Sequence, residues 1–219
     1  MSDRIIRIAV DGPSGAGKSS IAKAVAKEIG IEYIDTGAMY RAFAYKMISK
    51  GVDATDRNGI KTLLTDTEID FKDGATLLDG EDISDKIRTP EISKMASACS
   101  AYPEVRAKLV ELQQAMGRRK SVIMDGRDIC EKVLPEAEYK FFLTASAEER
   151  ANRRYKELLE KDGSITYDEV LEDMKKRDYA DSTRAESPLR KADDAEKIDS
   201  SDMTKEEVIE AILTKIGER

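Results

Sequence analysis

Residues 11–20 read DGPSGAGKSS, and no other stretch of the 219-residue chain limits its fold as strongly. Gly12, Gly17, Lys18 and Ser19 satisfy G-x-x-x-x-G-K-[ST]. Before the motif, IIRIAV at 5–10 is a nearly continuous apolar run, as a parallel strand buried on both faces requires. After it, Ile21, Ala22, Val25, Ala26 and Ile29 recur at helical spacing, and Gly30 stands where a C-cap belongs. A glycine-rich turn that merely caps a helix is the competing reading, and the strand–loop–helix context weighs against it. In that context glycines let the backbone N–H groups turn inward on an anion, and the helix adds its positive end. Gly12, Pro13, Ser14, Gly15, Ala16, Gly17, Lys18, Ser19 and Ser20 are therefore expected to cradle a nucleotide's phosphates. Lys18 can reach the β- and γ-phosphates, and Ser19 can ligate Mg²⁺.

Further strands are expected at IEYID (31–35), SVIMD (121–125), KFFLTAS (140–146) and EKIDSS (196–201). Between them lie helical patterns: Thr36 as N-cap before Met39, Tyr40, Phe43 and Met47, Pro90 and Pro103 as helix openers, and Thr166–Glu169 as a capping box. The second proline-opened helix carries Val105, Leu109 and Leu112, and a last helix Val208, Ile209, Ile212 and Ile216. From about 53 to 100, short runs separated by KDG and LDG signal antiparallel hairpins. The expected fold is α/β: one domain over 1–219, a doubly wound five-stranded parallel sheet flanked by helices, with a small antiparallel insert at about 53–100.

Net charge is −7, which argues against nucleic-acid and acidic-membrane partners. No apolar run reaches membrane-spanning length, and the N-terminal run is too short for a signal peptide. Cys99 and Cys130 match no metal-ligand spacing and read as reduced thiols of a cytoplasmic protein. There is no histidine, so mechanisms built on a histidine base or a histidine-bound zinc are excluded.

The destination of the terminal phosphate is the next question. No Asn-Lys-x-Asp of a GTPase is present, nor a Ser-Gly-Gly-Gln-like transporter signature, nor the protein-kinase set. Arginines instead stand beside carboxylates. DTGAMYR (35–41) and DGRD (125–128) follow strands, where ligands of open α/β sheets bind. ERANRR places Arg150, Arg153 and Arg154 on one helical face, and RDYADSTR spaces Arg177, Asp181 and Arg184 likewise. A solvated, salt-bridged face is the plainer reading of ERANRR, but DGRD directly after a buried strand is poorly explained that way. Moving phosphate between two polyanions needs several fixed positive charges, and arginine binds oxygens bidentately. A phosphate acceptor is already anionic near neutral pH and needs no general base, which suits a chain without histidine.

DGPSGAGKSS, DTGAMYR, IRTPEIS, DGRDI, LTASAEERANRRY and RDYADSTRAESPL occur in the order seen in the bacterial cytidylate kinases, within the nucleoside monophosphate kinases. The chain resembles that family over nearly its whole length. The resemblance implies ATP:CMP (or dCMP) phosphotransfer with Mg²⁺; the protein is expected to be a cytoplasmic monomer. It implies ATP on Gly12–Ser20, with Arg150, Arg153 and Arg154 in a helical lid at about 149–165. It implies a CMP site of Thr36, Tyr40, Arg41, Ser97, Arg106, Arg127, Asp128, Arg177, Asp181 and Arg184. Of these, Arg41 and Arg127 would hold the acceptor phosphate, and Thr36, Ser97, Arg106 and Asp128 would surround the cytosine. Arg177, Asp181 and Arg184 would lie near the sugar and the transferred phosphate. Lys18, Arg127 and Arg184 would be catalytic. The 53–100 insert would bind the monophosphate. The chain departs from the family pattern at Cys130–Glu131, where Gly-Thr is expected after GRDI. A kinase of a small hydroxy-metabolite and a non-catalytic nucleotide switch are the alternatives; a screen of phosphate acceptors and an assay of ADP formation with CMP separate them.

Overall fold

The computed structural model describes residues 5–72, 74–159 and 165–218. They divide into two compact units, one of Met1–Tyr33 with Ser121–Arg219 and one of Ile34–Lys120.

The first unit is built on strands β1 (Arg7–Asp11), β6 (Val122–Gly126), β7 (Tyr139–Thr144) and β8 (Glu196–Asp199). With β2 (Glu32–Asp35) they form a five-stranded sheet of order β2-β6-β1-β7-β8. The β1–β6, β1–β7 and β7–β8 pairings are parallel, with Val10 opposite both Asp125 and Phe141. Every one of Ile8, Ala9, Val10, Ile123, Met124 and Leu143 is fully buried, which is why these runs are apolar without alternation. Helix α1 (Lys18–Ile29) lays Ile21, Ala22, Val25 and Ala26 on this core, and α8 (Lys205–Gly217) adds Val208 and Ile212. Gly30 caps α1 at φ 70°, as its position predicts. Helices α6 (Ala147–Leu159) and α7 (Tyr167–Thr183) form a separate small core of Ala151, Val170 and Met174. The expected capping box at Thr166–Glu169 opens α7. The KDGS turn expected at 161–164, and with it part of the expected 149–165 lid, lies outside the described residues.

The second unit carries α2 (Thr36–Ser49), α3 (Arg57–Thr65), α4 (Pro90–Cys99) and α5 (Pro103–Arg119). Its antiparallel sheet runs β3 (Ile69–Lys72), β4 (Ala75–Leu78), β5 (Glu81–Asp82). The β4–β5 turn is Asp79-Gly80 with φ of 50° and 85°, the double positive φ that an Asp-Gly hairpin needs. Two local expectations shift. Asp35, not Thr36, is the N-cap of α2: its backbone is still extended and its carboxylate accepts the Ala38 N–H. Helix α3, capped by Asp56, is an element the hairpin reading of this region passed over.

Candidate active site

The glycines of the cradle are required by geometry. Gly12 sits at φ 149°, and a Cβ there would stand 1.9 Å from the Leu143 carbonyl oxygen of β7. Gly15 (φ 75°) faces the Met174 methyl and the Arg150 backbone, and Gly17 (φ 86°) is the N-cap of α1. The loop thus enters α1 with backbone donors at the helix's positive end. Lys18 is buried, and its Nζ donates to the Pro13 carbonyl at 2.7 Å, folding the side chain back over the loop. Burial lowers the Lys18 ammonium to about 7, and Arg127 and Arg177 push the same way against Asp125 and Asp11.

At the C-terminal end of β6, Asp125 accepts from Ser19 Oγ at 2.9 Å and from the Tyr33 hydroxyl at 2.8 Å. At the end of β1, buried Asp11 accepts the backbone N–H groups of Ile129 and Cys130, the start of a π-helical turn at Ile129–Val133. Burial raises the Asp11 carboxyl to about 6 even against those two hydrogen bonds. The turn holds Asp128 as its N-cap, largely buried.

Helix α7 brings the third set together. Asp181 accepts from Arg127 Nε at 2.8 Å and lies 3.6 Å from Arg184 Nη1. Burial pushes the Asp181 carboxyl up, but Arg127, Arg184 and Arg177 outweigh it and hold it below the ordinary value. Arg184 caps α7 and donates from Nε to the Ser187 carbonyl, so α7 and its cap bear the three residues expected there. The α6 arginines separate. Arg150 is buried on the Ser14 and Ala145 carbonyls and Asp178. Arg153 donates to Ser200, and Arg154 is exposed beside Glu157.

In the second unit, Asp35 divides its two oxygens between the Ala38 N–H and Arg41 Nη2, the latter at 2.8 Å. Arg41 Nε is buried with no hydrogen-bond partner among the described residues. The Arg106 guanidinium lies 5.7 Å from the Tyr40 ring centroid and donates to the Ser100 carbonyl. Thr36 is buried in the first turn of α2, and Ser97 is exposed on α4.

Sequence reasoning assigned no site role to Asp11, Asp125 or Asp178. For Asp125 the signal was there: a carboxylate directly after a buried strand. Asp11 stands first in the motif stretch itself, and Asp178 beside Arg177.

A family model described as cytidylate kinase matches residues 8–218. The chain belongs to the cytidylate kinase family. Among curated relatives, the cytidylate kinase of Clostridioides difficile (strain 630) is 51% identical over 210 residues, 96% of this chain and 97% of that protein. That of Caldanaerobacter subterraneus subsp. tengcongensis is 48% identical over 216 residues, 99% of this chain and 96% of its own length. In fold, the chain is similar to the crystal structure of an uncharacterized protein from Eubacterium ventriosum ATCC 27560. That match has a TM-score of 0.57 at 16% identity, covering 99% of this chain and 100% of the other.

Proposed function

We propose that this protein transfers the γ-phosphate of ATP to CMP or dCMP, giving ADP and the corresponding diphosphate. Beside the family membership, one observation carries the reading. In a single unit, a phosphate cradle with a buried lysine is accompanied by three arginines acting on one carboxylate, Asp181. Lys18 is held by the Pro13 carbonyl, Arg127 by Asp181 and Arg184 by the Ser187 carbonyl, protein groups that phosphate oxygens can replace.

ATP is assigned to Gly12–Ser20, and of the three α6 arginines expected to bind it the exposed Arg154 is the one assigned to it directly. Arg41 and Arg127 are assigned to the acceptor phosphate, and Thr36, Tyr40, Ser97, Arg106 and Asp128 to the nucleoside. Arg177, Asp181 and Arg184 are assigned to the sugar and the transferred group. The acceptor oxygen is anionic at neutral pH and attacks without a base. The protein's work is alignment and charge stabilisation, by Lys18, Arg127 and Arg184.

Mg²⁺ fits the residues present. The Ser19 hydroxyl and Asp125 carboxylate offer hard oxygen donors side by side. Among the described residues no group of three or more acidic, cysteine or histidine side chains could hold a metal. Bound there, Mg²⁺ would offset charge on the β- and γ-phosphates. A cytoplasmic monomer is part of the proposal; no described helix is long and apolar enough to cross a membrane.

The test is a coupled ADP assay across the nucleoside monophosphates with MgATP. CMP and dCMP should turn over well above UMP, AMP and GMP. ADP formation independent of any monophosphate, or transfer to a sugar alone, would refute the assignment.

A further inference from the structure

The γ-phosphate must face the guanidinium row of α7 to within a fraction of an ångström. Yet α6 and α7 pack on a small core of their own, centred on Ala151, Val170 and Met174 and distinct from the main sheet's core. Arg150 ties this pair of helices to the cradle by hydrogen bonds. It is 5% exposed, and its Nη1 donates to the Ser14 carbonyl at 2.9 Å. Its Nε donates to the Ala145 carbonyl at 2.9 Å, just past the end of β7. Its Nη2 meets Asp178 Oδ2 at 2.7 Å. Asp178 lies between Arg177 and Asp181 on α7, so any movement of that turn carries all of them together. Its second oxygen, Oδ1, is buried with no hydrogen-bond partner among the described residues. The carboxylate is thus committed to the arginine.

We propose that Arg150 and Asp178 are positioning residues. Asp178 holds the Arg150 guanidinium, and Arg150 holds the cradle by the outward-turned Ser14 carbonyl. The latch thereby sets the register between the γ-phosphate and the arginines of α7. Three acceptors on one planar fork fix orientation in a way a lysine cannot reproduce. Arg150 accordingly acts on ATP through the loop, without touching the nucleotide. The inference rests on the phosphotransfer reading above and assigns to Asp178 a role that reading lacks.

The experiment compares wild type with Asp178→Asn, Asp178→Ala, Arg150→Lys and the Asp178→Asn/Arg150→Lys double variant. Each is assayed for kcat and for KM of ATP and CMP, with thermal denaturation fixing the folded fraction. Asp178→Asn and Asp178→Ala replace a partly exposed side chain, so they carry the test even if Arg150→Lys does not fold. Each single variant should lose about tenfold in kcat, with both KM values within about threefold, because each nucleotide still binds and only alignment is lost. The double variant should be no worse than Arg150→Lys, since one latch is removed either way. A raised KM for ATP with kcat intact would make Arg150 a direct ATP ligand and overturn the proposal. So would fully additive losses, or lower melting temperatures with unchanged kcat per folded molecule. Wild type that forms no ADP with CMP would remove the phosphotransfer reading, and this inference with it.

Discussion

The Asp11 carboxylate accepts the backbone N–H of Cys130 at 2.8 Å. Its other oxygen takes the Ile129 N–H at 2.9 Å. Asp11 is the last residue of β1, directly before Gly12, and Cys130 lies two residues beyond Asp128. One buried carboxylate therefore fixes both the entry to the cradle and the loop that bears Arg127 and Asp128. This also accounts for Cys130–Glu131 in place of Gly-Thr. Among described residues only Asp79 and Ser187 are non-glycines with positive φ, so the loop does not require a glycine at Cys130. The thiol turns inward, 3.9 Å from the Ala9 and Phe141 carbonyls, while Glu131 turns outward to Arg190.

Both thiols should accordingly be inert. Burial, reinforced by Asp11, pushes the Cys130 thiol far up, and burial pushes Cys99 up to about 12. With a thiol-reactive chromophore at pH 8, the native protein should show almost no reaction and the unfolded protein should titrate both cysteines. Cys130→Ala should keep kcat within about twofold and cost about 1 kcal/mol of stability for the lost packing. Stoichiometric labelling of Cys130 in the folded enzyme, with loss of turnover, would contradict this.

Lys18 should make ATP binding proton-linked. In the free protein its folded pKa is lowered to about 7, so it is largely neutral at pH 8. A triphosphate in the cradle favours the ammonium and raises its pKa again. Binding at pH 8, where ATP itself is fully ionised, should then take up roughly 0.9 proton, and affinity should fall as pH rises above 7. The sign for folding is the converse: a lowered lysine pKa penalises the folded state fully below about 7, and the penalty disappears as pH rises towards 10.5. Calorimetry of ATP binding in two buffers of different ionisation enthalpy reads the proton count directly. Lys18→Arg, always charged, should take up none. Lys18→Ala should stay folded and lose at least about a thousandfold in kcat.

Gly12 should tolerate no side chain. A Cβ at 1.9 Å from a backbone carbonyl oxygen cannot be relieved by a rotamer change, and φ 149° adds strain of its own. Gly12→Ala should cost at least about 3 kcal/mol, seen as a large drop in denaturation midpoint, with ATP binding lost. Gly30→Ala, at φ 70° but with open space around it, is the control for strain alone; it should cost about 1 kcal/mol.

Much of this arrangement was legible in the sequence, for identifiable reasons. Parallel strands buried on both faces announce themselves as apolar runs, so IIRIAV, SVIMD and KFFLTAS located β1, β6 and β7 to within two residues. Motif spacing located the cradle, and helical spacing put Arg177 and Asp181 on one turn of α7 beside Arg184. What spacing does not carry is partnership across the fold. Asp11 reaches 119 residues along the chain to Cys130, Ser19 reaches 106 to Asp125, and Arg150 reaches 136 back to Ser14. Arg150, Arg153 and Arg154 look equivalent as ERANRR, yet one is buried on three acceptors and another faces solvent. Burial, set by the packing of α6 on α7, distinguishes them.

Asp128 offers the sharpest test of base recognition. It is the largely buried N-cap of the π-helical turn, fixed in place by the Asp11 bonds to the two residues that follow. Cytosine presents an N4 amino donor where uracil presents an O4 acceptor. A carboxylate accepts from the amino group and meets only repulsion from O4. A buried acceptor left unpaired rejects the wrong ligand by several powers of ten in favourable cases. CMP should therefore exceed UMP in kcat/KM by at least about a hundredfold in the wild type. Asp128→Asn should narrow that ratio by about tenfold or more, because the amide can rotate to donate to O4. The Asn side chain is nearly isosteric, so the loop and the Asp11 bonds should survive, and the melting temperature should stay near that of wild type. A CMP/UMP ratio unchanged in a folded Asp128→Asn enzyme would mean that another residue reads the base.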